Sequence, residues 1–138
     1  MNTAAKLDPR AIRRGFLEFY AECGGPVESL VACEHGVADV VTDQFLLQLG
    51  PLENWLLTLG QSIAMATELS LYPEVGLYGD GDYESILELC TQMRVCCYGL
   101  TIQDGNAERF VRCIGAPTHS NHEQVKAWVE NRHAIFLN

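Results

Sequence analysis

The chain has 138 residues, of which 48% are hydrophobic and 20% are charged, and its formal net charge is −9. This length fits one globular domain with a hydrophobic core, and the composition excludes a disordered chain. The acidic balance argues against direct nucleic-acid binding because phosphates would be repelled, and no apolar stretch is long and unbroken enough to predict a membrane span.

A helix is predicted near the N-terminus. Asp8 can cap it, Pro9 suits the first helical position, and Gly24 is a typical helix end. No apolar segment of the signal-peptide type accompanies the basic residues here, so a cytoplasmic protein is expected. The six cysteines are then expected to be free thiols.

Residues 27–49 change period and predict two or three short antiparallel strands. The side chains of residues 27–34 alternate between inward and outward types, and His35-Gly36 is a candidate turn. Residues 45–49 form an apolar run that is typical of a buried strand.

A long central helix is predicted at about residues 52–71. Pro73 stops it, because a proline ring cannot continue the helical hydrogen bonds. Gly60 costs about 1 kcal/mol relative to alanine inside a helix, and close approach by another backbone would justify that cost. The apolar residues recur at helical spacing and define one face: Leu52, Trp55, Leu56, Leu59, Ile63 and Ala66.

The segment after the central helix predicts a loop and then a further helix. Residues 73–82 contain four glycines or prolines and are expected to be loop. Residues 83–93 fit both helical and strand periods. Helix is favoured, because leucine, glutamate, glutamine and methionine prefer it, and Asp82 can cap it.

A hairpin and a last helix are predicted at the C-terminal end. Residues 95–102 and 110–114 predict two strands that turn at residues 104–106, where Asp-Gly-Asn supplies turn chemistry. Ser120 and Glu123 form a capping box, which predicts the start of the helix that follows.

These elements predict an α+β fold with a small antiparallel sheet of four or five strands and helices packed on one face. The order of elements is similar to that of roadblock proteins and of small secretion chaperones. No sequence motif of either family accompanies this similarity, so it assigns no role to any residue.

Charge is distributed unevenly along the chain. The span from residue 15 to residue 93 contains 13 of the 18 acidic residues and none of the nine basic ones. Self-repulsion in such a span opposes compactness, and a positively charged partner would relieve it. The alternative is that the acidic surface only keeps a small protein soluble.

The leading hypothesis is a non-enzymatic acidic protein-binding module that engages a basic surface of another protein. Inhibitors, immunity proteins, anti-defence proteins and secretion-chaperone-like regulators are classes that bind in this way. No cofactor and no catalytic residue are expected. The contact residues are expected in the acidic, tyrosine-bearing segment after the central helix: Glu74, Tyr78, Asp80, Asp82, Tyr83, Glu84 and Glu88.

Two alternatives belong to other functional classes. The first is a small metal-dependent or thiol-dependent enzyme or sensor that uses Cys113, His119 and His122. The two histidines are spaced to reach one ion, and the cysteine is a further ligand or a nucleophile. The second is a homodimeric scaffold of roadblock-like architecture, paired through the Gly60 face or a hairpin edge.

Two shorter patterns are also compatible with chemistry. Cys33 and His35 are two residues apart, so in a strand they would face the same side as a thiol and a base. Asp80, Asp82 and Glu84 place oxygen ligands at alternate positions, although the spacing of an EF-hand is absent. The spacing of Cys33 and His35 is common by chance.

Overall fold

The structure is a computed structural model that describes residues 6–104, 109–116 and 122–137. No helix within these ranges is long and apolar enough to cross a membrane. Short 3-10 turns occur at Leu52–Asn54 and His133–Phe136. The helices are α1 (Pro9–Glu22), α2 (Trp55–Leu69), α3 (Glu84–Met93) and α4 (His122–Asn131). The strands are β1 (Val27–Cys33), β2 (Gly36–Thr42), β3 (Phe45–Pro51), β4 (Tyr72–Tyr78), β5 (Cys96–Asp104) and β6 (Arg109–Ala116).

The described strands form one mixed sheet in the order β1-β2-β3-β4-β5-β6. The α+β class is confirmed, and β1, β2 and β3 are antiparallel as predicted. However, β3, β4 and β5 are parallel, so the prediction of an antiparallel sheet with four or five strands is wrong in these respects. The difference arises from β4, which makes α2 and α3 the crossovers between parallel strands.

Strand β4 occupies most of the segment that was predicted as a loop. Its second residue, Pro73, is tolerated because of where its missing N–H would point. The Tyr72 N–H donates to Gln44 O on the β3 side at 2.9 Å, so the next amide position faces β5. Pairing with β5 begins only one residue later, at Glu74 with Cys96. The proline therefore removes no ladder hydrogen bond.

Helices cover both faces of the sheet, which corrects the prediction that they cover one. Tyr98 and Leu100 of β5 pack in a core with Phe16 of α1 and Val129 of α4. The intervening Cys97 packs in a second core that also contains residues of α2 and α3. Since successive strand residues point to opposite faces, α1 and α4 lie on one side, and α2 and α3 lie on the other. Two successive crossovers of the same hand place their helices on the same face.

The central helix is confirmed as the 3-10 turn followed by α2, but its buried face differs from the predicted one. Leu59 and Ala66 are buried, whereas Leu56 is 66% exposed. Thr58 and Ser62 are buried in place of larger apolar residues. The Ser62 hydroxyl donates to Glu74 O at 2.7 Å, and the Thr58 hydroxyl donates to Asn54 O at 3.2 Å.

Two other helix predictions can be assessed. The side chain of Asp8 accepts a hydrogen bond from the Arg10 N–H at 3.0 Å, which confirms the cap of α1. The helix favoured for residues 83–93 is confirmed as α3, which spans Glu84–Met93. The predicted turn centre Gly105-Asn106 and the capping residue Ser120 lie outside the described residues.

Basic residues from the ends of the chain reach part of the acidic span. Arg13 lies 3.8 Å from Asp39, and Arg132 lies 3.8 Å from Glu22. Burial raises the pKa of Asp39, while a hydrogen bond from the Leu49 N–H and the charge of Arg13 oppose that rise. These long-range pairs neutralise charge near α1 and leave the acids around α3 untouched.

Candidate functional site

The predicted contact residue Glu74 lies in the core and not at the surface. Its side chain is 0% exposed. The Tyr20 hydroxyl donates to Glu74 Oε1 at 2.8 Å, and the Tyr98 hydroxyl donates to Oε2 at 3.2 Å. Burial, followed by the neighbouring Glu74, raises the pKa of both tyrosines. This network anchors β4 to α1 and β5, so Glu74 is not available to a partner.

Tyr83 is the second predicted contact residue that is buried, and it supports the loop between β4 and α3 from behind. Its hydroxyl donates to Gly79 O at 2.8 Å, which closes the loop. Its ring packs against Gly99, where an added Cβ would lie 2.6 Å from a ring carbon. The loop also needs Gly79 and Gly81, whose φ values of +120° and +152° disfavour other residues.

Four of the predicted contact residues are exposed around this loop: Asp80, Asp82, Glu84 and Glu88. None of them forms an ion pair with any residue in the described ranges. Asp82 has a structural role as well, because its side chain accepts a hydrogen bond from the Glu84 N–H at 2.9 Å at the start of α3. Glu84 and Glu88 are one helical turn apart, where like charges repel.

Three of these acids line a groove of about 530 Å³ at the carboxyl ends of β4 and β5. We call it the acidic groove, and its boundary is Asp80, Gly81, Asp82, Tyr83, Glu84, Leu87, Thr101, Ile102, Gln103 and Ile114. Its walls are therefore mixed, with carboxylates on the loop and apolar side chains on α3 and the β5–β6 pair.

Thr101 and Asp80 both line the acidic groove. Thr101 Oγ1 is buried in the groove wall and has no hydrogen-bond partner among the described residues. Asp80 also borders a second cleft of about 460 Å³ that contains Tyr78, Lys6 and Arg109. The predicted contact residue Tyr78 thus lines the second cleft and not the acidic groove. The second cleft also differs from the groove in having the basic residues Lys6 and Arg109 in its lining.

The predicted metal or thiol residues are only partly described. Cys113 is buried, and burial followed by the charge of Glu130 raises the pKa of its thiol to about 12. A thiol with a raised pKa is a poor nucleophile at neutral pH. His119 lies outside the described residues, and the side chain of His122 is not described.

The thiol of Cys33 is also perturbed in the direction opposite to activation. Burial and then the Glu68 carboxylate raise its pKa. The ring of His35 lies at the β1–β2 turn, at the surface. All six cysteines of the chain are free.

Comparison with known proteins finds no match to a family model, to a curated protein or to a solved structure.

Sequence reasoning located the acidic loop but missed half of the groove. Leu87, Ile102 and Ile114 give no functional signal in the sequence, because apolar residues at these positions are equally expected in a core. The parallel pairing of β4 with β5 brings Ile102 beside the loop, and that pairing was not predicted.

Proposed function

We propose that this protein is a protein-binding module whose acidic groove binds a basic, partly apolar segment of another protein. The observation that carries the proposal is one groove that combines an apolar wall with carboxylates, at Asp80, Asp82 and Glu84, that form no ion pair with a described residue. A lysine or arginine side chain has the same two parts, an apolar stem and a charged head.

The electrostatic contribution is expected to act mainly on association. An exposed carboxylate that pairs with an exposed cation contributes about 0.2–1 kcal/mol, so charge alone gives weak binding. Opposite charges speed encounter, and salt reduces that effect. Apolar contact with the groove wall must supply the remaining affinity. A binding partner is thus expected to carry both arginine or lysine and an aliphatic side chain.

The proposal is tested by an NMR titration with synthetic peptides. The first peptide alternates arginine and leucine over twelve residues, and the control peptide alternates arginine and serine. We expect amide shifts concentrated at Gly81, Leu87 and Thr101, and tighter binding of the leucine peptide. Shifts spread evenly over all exposed acids would contradict the proposal, and so would equal affinity for both peptides.

A second candidate function is a homodimeric scaffold, and a specific feature of α2 favours it. Leu56 and Leu57 are 66% and 62% exposed on the outward side of this helix. Gly60, one turn later, is exposed, and an added Cβ there would have no described atom within 4 Å. Residues 54–67 contain no charged side chain, so two copies can meet here without like-charge repulsion.

Sedimentation equilibrium distinguishes this candidate. A scaffold of this kind gives a dimer that Leu57→Glu converts to a monomer, while Glu28→Gln, a change on an exposed strand residue, leaves it unaffected. A monomer at all concentrations removes the candidate and leaves the acidic groove as it stands.

A further inference from the structure

A second cluster of ligand-type side chains lies away from the acidic groove. It is formed by two consecutive residues of the β1–β2 hairpin turn, Glu34 and His35, together with Glu68 from the last turn of α2. Each residue offers one donor atom, and the three atoms all lie within 4.8 Å of one another. It is the one such cluster of three or more ligands found among the described residues.

The fold brings these residues together across a sequence separation of more than thirty positions. Cys33 pairs with Gly36, so Glu34 and His35 are the whole two-residue loop of the hairpin. The Glu34 N–H donates to both carboxylate oxygens of Glu68, at 2.9 and 3.2 Å. The loop is therefore fastened to α2 through the same carboxylate that contributes a donor atom.

The spacing suits a small divalent ion. Zinc lies about 2.0–2.2 Å from histidine nitrogen and carboxylate oxygen, so two donors around one tetrahedral ion are about 3.3–3.6 Å apart. Donors that lie up to 4.8 Å apart thus have to approach one another by up to roughly 1.4 Å when the ion binds. All three side chains are exposed, so rotation about their side-chain bonds can supply that approach while the Glu68 carboxylate keeps one of its two contacts to the Glu34 N–H.

The donor set and the local charge define the class of ion. One imidazole with two carboxylates is a set that zinc and similar transition-metal ions accept, whereas calcium and magnesium prefer oxygen donors alone. Two carboxylates in close proximity repel each other, and no described lysine or arginine pairs with either one. A bound cation would remove that repulsion.

We propose that Glu34, His35 and Glu68 bind one divalent transition-metal ion of the zinc type. Three protein ligands leave a fourth tetrahedral position for water or for a ligand from another molecule. The ion would tie the β1–β2 hairpin to the end of α2. This site shares no residue with the acidic groove, so it does not depend on the function proposed above.

The test is isothermal titration of the metal-free full chain with zinc chloride, together with native mass spectrometry. We expect one equivalent bound at this site, and His35→Ala and Glu68→Gln each to weaken it by at least about tenfold, the lower range seen even for indirect partners of metal ligands. The control Glu28→Gln removes an exposed acid from the neighbouring strand and is expected to change the affinity less than twofold.

A second variant distinguishes zinc binding at the proposed site from zinc binding at other histidines of the chain. The variant with both His119→Ala and His122→Ala is expected to bind one equivalent of zinc as tightly as the unaltered chain, whereas His35→Ala weakens that binding. Loss of zinc from the His119/His122 variant together with its retention by His35→Ala would overturn the proposal. A chain that binds no zinc, or that binds calcium in preference to zinc, would overturn it as well. Because the three ligands are exposed, the variants are expected to fold, and far-ultraviolet circular dichroism checks this for each.

Discussion

The buried Glu74 network makes a prediction that can be worked from its geometry. Tyr20→Phe removes the hydroxyl that donates to Glu74 Oε1 at 2.8 Å, the shorter of the two tyrosine hydrogen bonds to this carboxyl group. Because Glu74 is 0% exposed, water does not readily replace the lost donor. Loss of a partner for a buried polar group costs about 1–3 kcal/mol, and we expect about 2 kcal/mol here.

The assay is thermal and urea unfolding of the purified variant. Unfolding entropy of about 2.1 cal/mol/K per residue gives about 0.29 kcal/mol/K for a chain of this length, so about 2 kcal/mol lowers Tm by about 7 °C. Tyr72→Phe is the matched control, since Tyr72 is 69% exposed and its change should stay within about 0.5 kcal/mol. If Tyr20→Phe were no more destabilising than Tyr72→Phe, the network would not hold β4 in place.

Two further predictions concern stability. The folded-state pKa values of Tyr20 and Tyr98 are raised, so the protons are held more tightly in the folded chain. The contribution of these tyrosines to the free energy of unfolding is complete below the unfolded-state pKa of about 10, and it declines above that pH by up to about 1.4 kcal/mol per pH unit for each tyrosine. Urea unfolding at pH 9, 10 and 11 should show this fall. A constant stability up to pH 11 would contradict it. Gly99→Ala is expected to destabilise the protein by about 1–3 kcal/mol, because the added Cβ is forced against the Tyr83 ring. Gly60→Ala places its Cβ in open space on α2 and is expected to stabilise the monomer by about 1 kcal/mol. Equal effects of the two substitutions in urea unfolding would refute the packing described around Tyr83.

The elements that sequence periodicity predicted well are those with local signals. The cap at Asp8, the strands β1 to β3 and the helix α3 each depend on neighbouring residues. In contrast, β4 depends on partners on both sides. Pro73 and the glycines of this segment are typical of loops, and only pairing with β3 and β5 makes them a strand. The parallel part of the sheet therefore could not be predicted from local pattern.

The buried face of α2 shows a second limit of periodicity. Thr58 and Ser62 satisfy their hydroxyls on backbone carbonyls and enter the core, while Leu56 remains outside. Small polar residues at these positions allow the helix to approach the sheet closely, since an added Cβ at Gly50 would clash with Thr58. A prediction that ranks residues by hydrophobicity alone therefore assigns the wrong buried face to this helix.

The candidate site was only partly predicted, because the sequence does not show which residues of the acidic segment are exposed. Asp80, Asp82 and Glu84 stand out in the sequence because no base lies near them. Glu74 and Tyr83 belong to the same segment but point inward, which depends on the alternation of β4 and on the space left at Gly99. Composition identifies an acidic segment, and the fold decides which of its members reach the surface.

Charge reversal with a matched control tests the acidic groove most directly. One variant carries Asp80→Lys, Asp82→Lys and Glu84→Lys, and the control carries Glu18→Lys, Glu28→Lys and Asp43→Lys on exposed sites elsewhere. Each set changes the net charge by the same six units, from −9 to −3, so general electrostatic attraction is equalised. If the acidic groove is the binding site, the groove variant loses affinity for the arginine–leucine peptide at least tenfold more than the control does. Equal losses in the two variants would show that the peptide senses total charge alone, and the groove would not be the binding site.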